Sequence, residues 1–282
     1  MSQSANTFQP LSCWEPLFLQ RSPLFEPLLS VGSDLTAYAR WPELDDLQRL
    51  AEARQKQLVN RDGKPISFVP QNHKSQRFED EYEPRVYLAG EVQTRTENWH
   101  DLFNALAWLA FPITKATINA RHYAEILRER AMEDGKPRGK VRDRLTQFDE
   151  SGVVILCADA ELAQLLAAHQ WKRLFWEQRE RVNQCVRFLV FGHSLYEKAL
   201  RPYPGITGKA LVLEVTAQNL QQPLHEVLAL ADKLLAEVVG DVSRFSAETR
   251  LQPLPLMGVP GWALENENVA YYEDIRYFRP KH

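Results

Sequence analysis

Between Thr94 and His122 the chain reads as two amphipathic helices that meet at one proline, and this junction limits what the chain can fold into. Trp99, Leu102, Phe103, Leu106, Leu109 and Ala110 give the first helix an apolar face that must be covered. Asn98 is placed to cap its free amides. Pro112 ends it, because the proline ring cannot continue the hydrogen-bond ladder. Thr114 is placed to cap the second helix, expected to run to about residue 132. A connection this short makes the two helices neighbours in space. Their polar faces then converge. The first carries His100 and Asn104 one turn apart, with Asp101 in the first turn, where the helix dipole favours a carboxylate. The second carries Lys115, Asn119 and His122 as one stripe. The expected pocket holds His100, Asp101, Lys115, Asn119 and His122 as catalytic candidates, with Asn98 and Asn104 as ligand-binding amides.

The remaining pattern adds a helix over 41–59, short strands at 66–69 and 85–88, and a buried strand at 153–157 (VVILC). A helix capped by Asp159 follows, then a long helix over 171–200, a strand at 210–215 and a helix over 223–239. The expectation is α+β: a mostly helical single domain with a small β-sheet. A Pro/Leu-rich N-terminal segment and helix (1–60) would pack on a core (61–240). An irregular, aromatic-rich segment (241–282) would complete it.

Composition excludes several classes. Apolar residues make up 44% and charged residues 25%, as in an ordinary globular protein. A net charge of −3 gives no strong nucleic-acid signal. Three scattered cysteines suit neither a disulfide framework nor a zinc knuckle. No apolar run approaches the ~20 residues that span a bilayer, and the first residues lack a signal-peptide pattern. A cytoplasmic location is expected, with no membrane partner.

Two further regions carry ionisable groups. Lys136, Arg138, Lys140, Arg142 and Arg144 crowd one stretch, and such a run attracts an anionic ligand, with Arg138 and Arg142 as the candidate contacts. Asp149 and Glu150 follow directly, two adjacent carboxylates able to hold a hard cation or to pair with the arginines. Further on, FGHSLYEKAL sets His193 and Glu197 on consecutive helical turns beside Lys198, a spacing that lets both reach one metal or lets the Glu orient the imidazole. Asp149, Glu150, His193 and Glu197 are therefore the metal candidates, and Lys198 joins the ligand-binding set. GITGKA (205–210) resembles a broken phosphate loop: the first glycine is missing and Ala210 stands where Ser or Thr would meet magnesium. No GxSxG, HExxH or GxGxxG motif occurs.

The blocks NWHDLFNALAWLAFPITKATINARH (98–122), RGKVRDRLTQFDESGV (138–153) and FGHSLYEKALRPYPGITGKAL (191–211) resemble the bacterial family called domain of unknown function 3025, over roughly residues 66–215. The resemblance covers Asn98, His100, Asp101, Asn104, Lys115, Asn119, His122, Arg142, Asp143, Asp149, Glu150, His193, Glu197 and Lys198. It implies that the three blocks share one domain. It implies no activity.

The leading expectation is a hydrolase-like enzyme, with a divalent metal ion as its possible cofactor, acting on an anionic or phosphorylated small molecule. A non-catalytic binding module for an anionic ligand or partner, or a structural protein with buried polar networks, are the alternatives.

Overall fold

The structure is a computed structural model that describes residues 13–53, 58–71, 77–132 and 139–281. The N-terminal segment runs through short 3-10 turns and α1 (Leu29–Gly32) into α2 (Leu44–Glu52). Then come β1 (Ser67–Pro70), α3 (Tyr82–Ala89), β2 (Glu91–Thr94), α4 (Trp99–Ala110), α5 (Pro112–Ala131) and α6 (Lys140–Ser151). β3 (Gly152–Cys157), α7 (Ala160–Ala167), α8 (Arg179–Cys185), β4 (Val186–Val190) and α9 (His193–Ala199) follow. β5 (Thr207–Glu214), α10 (Ala217–Leu220), α11 (Leu224–Gly240) and β6 (Gln252–Pro255) complete the order. The protein is α+β and mostly helical, with a four-stranded mixed sheet in the order β4-β3-β5-β6 and a separate parallel pair, β1-β2.

β3 is apolar at every position after Gly152 because both of its faces are covered. Val153, Ile155 and Cys157 point into one core, and Val154 and Leu156 into another. The second core is closed by apolar residues of α6 and α11, among them Leu145, Phe148, Val227 and Leu235. The first takes in α4, α9 and the N-terminal segment, whose Trp14 and Trp41 rings lie 5.2 and 4.8 Å from Trp99. Those aromatics anchor the start of α4, one residue before His100.

Three expectations are corrected. The segment 85–88 is helical, inside α3, and the strand falls just after it at Glu91–Thr94. The long helix expected over 171–200 is broken by β4. Val186, Phe188, Leu189 and Val190 favour an extended backbone once β3 offers an antiparallel partner. Thr114 does not cap α5. Asp232 of α11 accepts from the Ile113 and Thr114 amides at 2.9 and 2.8 Å, a cap supplied from 118 residues away. Pro112 both ends α4 and opens α5, at a position where its missing N–H costs nothing.

Candidate functional site

Asn98 caps α4 as expected, its side-chain oxygen accepting from the Asp101 amide at 3.0 Å. This fixes the first turn and presents His100 one third exposed. On α6, Asp149 and Glu150 occupy the last turn, directly before β3. His193 is the first residue of α9, directly after the β4 turn, and is buried.

Gly192 makes the close approach possible. Its amide donates to the Gly152 carbonyl at 2.9 Å. A Cβ there would collide with backbone atoms of Glu150, Ser151 and Gly152. Gly192→Ala is therefore expected to push α9 off the end of α6. Forced overpacking of this kind costs about 1–3 kcal/mol. Thermal denaturation checks this: the melting temperature should fall, and an unchanged one contradicts it.

Among the described residues, His100, Glu150 and His193 form one group whose potential ligand atoms all lie within 4.8 Å of each other. The Nε2 atoms of His100 and His193 are 3.1 Å apart. Glu150 lies 3.5 Å from His193 Nε2 and 4.0 Å from His100 Nε2. The far nitrogen of each ring faces a carboxylate. Glu197 lies 3.3 Å from His100 Nδ1, and Asp149 lies 3.7 Å from His193 Nδ1, which makes no hydrogen bond. The Glu197 hydrogen bond raises the His100 pKa above its ordinary value, against the effect of burial. Burial alone would raise the pKa of Glu150, but the hydrogen bond and charge of His193 overcome it and hold the carboxyl below the usual range.

Behind this group runs a buried polar chain. Lys115 Nζ donates to Asp149 at 2.6 Å and to Asn104 Oδ1 at 2.8 Å. Asn104 Nδ2 donates to the Tyr82 hydroxyl at 2.8 Å. Burial pushes the Asp149 pKa up, and the charge and hydrogen bond of Lys115, together with the nearby His193 and His122, more than reverse this. The polar faces of α4 and α5 thus meet, as their spacing implies. Lys115, however, is buried and committed to Asp149, so it positions that carboxylate and does not face a ligand.

A cleft of about 440 Å³ opens over the group, lined among others by His100, Asp149, Glu150, His193, His122 and Arg142. Asp101 also lines it but is held by Arg95 through two side-chain bonds of 2.8 and 2.9 Å. Arg142 is paired with Glu129 at 2.8 Å. Asn119 does not line the cleft; it donates to the Glu83 carboxylate at 2.7 Å and so aims it at His122, 3.9 Å away. Lys198 lies outside the cleft lining. Arg138 and Lys136 fall outside the described residues.

Sequence reasoning missed the wall supplied by α3, with Tyr82 and Glu83. The signal was present: acidic residues at 79–83 and Pro84 before an apolar run mark a helix start.

A family described as "Protein of unknown function (DUF3025)" matches residues 66–282. The match reaches beyond the three resembling blocks, through the C-terminal segment. No curated protein matches the chain, and no solved structure does. No helix among the described residues is long and apolar enough to cross a membrane.

Proposed function

The chain belongs to the DUF3025 family, and from the geometry of its cleft we propose that it is a divalent-metal-dependent hydrolase in which His100, His193 and Glu150 hold the ion. One observation carries this reading: two imidazole Nε2 atoms face each other at 3.1 Å beside a carboxylate, while the opposite ring nitrogens face Glu197 and Asp149. Two nitrogen ligands at about 2.1 Å from a tetrahedral ion stand about 3.4 Å apart, so little movement is needed. A carboxylate behind a ligating imidazole sets its tautomer and raises its basicity. Nitrogen-rich donors with one carboxylate suit zinc among the common divalent ions.

Three protein ligands leave a position open toward the cleft. A metal there would supply an activated water and polarise a carbonyl or phosphoryl oxygen. With Glu150 as its single carboxylate ligand the ion retains positive charge, which supports an anionic substrate such as a carboxylate- or phosphate-bearing ester or amide. His122, oriented beside Glu83, lines the same cleft and is the residue placed to carry a proton. Asp101 is spent on Arg95 and has no part in the chemistry proposed.

The scaffold reading has one observation in its favour, the Tyr82–Asn104–Lys115–Asp149 chain. It leaves unexplained why His100 and Glu150, each about one third exposed, turn to the cleft.

Metal analysis of the purified protein, followed by an ester, amide and phosphoester hydrolysis panel with and without chelator, tests the proposal. About one equivalent of divalent metal and chelator-sensitive turnover are expected. Metal-free protein that takes up no zinc, manganese or ferrous iron on addition contradicts it.

A further inference from the structure

A second cavity, of about 810 Å³, lies away from the metal candidates, between the start of β5 and the C-terminal tail. Lys209, Arg279 and Lys281 line it. None of the three has an acidic partner among the described residues. Lys281 Nζ donates to the Ala167 carbonyl, and Arg279 spends only Nε, on the Arg276 carbonyl. Asp274, the acid in the lining, is fully engaged by Arg276 at 2.9 and 3.0 Å. Three cations without an acidic partner among the described residues therefore line one concave space in a chain whose net charge is −3. Such a concave cationic surface raises the local concentration of anions from solvent.

The sequence motif left without a role falls here. Gly205, Thr207 and Lys209 of GITGKA line this cavity. Gly205 has φ +113°, a backbone open to glycine and rarely to other residues, so the loop turns without a side chain at the cavity mouth. Lys209 comes from β5 and not from a helix, and Ala210 is buried in the sheet, so the segment is not a magnesium-dependent phosphate loop. What it retains is the glycine turn and the lysine. Arg279 adds terminal guanidinium nitrogens, which suit two oxygens of one phosphate. The volume lies in the range of small-ligand sites.

We propose that this cavity binds the oligophosphate group of a small molecule. Two sources share that chemistry, an inorganic phosphate chain and a nucleoside polyphosphate.

Titration calorimetry at low salt separates them, with magnesium-free tripolyphosphate and adenosine triphosphate as probes. Each is run against the native protein, Lys209→Ala/Arg279→Ala and His100→Ala. The two cationic residues are intermediate or exposed, so the double variant retains its fold, which circular dichroism verifies. Binding of either probe is expected, weakened at least tenfold in the double variant, because each lost charge-assisted bond is worth about a factor of ten. It is also expected to weaken with added salt and to persist in His100→Ala. Binding of tripolyphosphate identifies the phosphate chain itself as the ligand, and binding of the nucleotide alone identifies a nucleoside polyphosphate. No binding of either at millimolar concentration overturns the proposal. So does binding that the double variant leaves intact, or that His100→Ala removes.

Discussion

Replacing His100 by alanine is expected to abolish stable metal retention while leaving the fold in place. The side chain is one third exposed and sits in the first turn of α4, where Asn98 and not His100 supplies the cap. Loss of one of three ligands should lower metal affinity by on the order of a hundredfold or more, because an outer partner alone is worth ten- to hundredfold. Glu197→Gln provides that comparison. It keeps the shape behind His100 Nδ1 and removes the charge, so its effect should be the smaller. Competition against a chromogenic chelator measures both. Equal affinity in the native protein and His100→Ala contradicts the ligand assignment, and a larger loss in Glu197→Gln than in His100→Ala would exchange the two roles.

The largest loss of stability is expected at Lys115. Its ammonium is buried between Asp149 and Asn104, and it is the largest of the charges that hold the Asp149 carboxyl below its ordinary range against burial. Lys115→Met removes the cation with little change of volume and strands the carboxylate. Breaking a buried pair in this way costs about 3–5 kcal/mol. At roughly 2–4 °C per kcal/mol for a chain of this size, the melting temperature should fall by on the order of 10 °C. Lys115→Met/Asp149→Asn should recover part of the loss, since the stranded charge is gone. Calorimetry on the three variants decides it. A fall below about 1 kcal/mol in the single variant would mean that Asp149 has another source of compensation.

What the sequence makes legible is local. The Asn98 cap, the Pro112 junction, the apolar run 153–157 and the face of α11 follow from spacing and from the chemistry of single residues. β4 is hidden because its strand preference is realised only against β3, and the helical stretches on either side of it read as continuous with it. The Asp232 cap is hidden because it arrives from a distant helix. The site divides along the same line. The convergence of the polar faces of α4 and α5 is visible in their stripes. The apposition of His100, from block 98–122, with His193, from block 191–211, is not, because Gly192 and the turn from α6 into β3 create it. Spacing also set His193 and Glu197 in one candidate metal set. In the fold they sit in front of and behind different atoms of His100, one meeting Nε2 and the other Nδ1.

The most direct measurement is a crystal structure of zinc-loaded protein with anomalous diffraction at the metal edge. The account predicts one strong peak within about 2.0–2.2 Å of both imidazole Nε2 atoms, of His100 and His193, and of a Glu150 oxygen. A fully occupied ion bound elsewhere, with these three side chains empty of metal at saturating zinc, would contradict it.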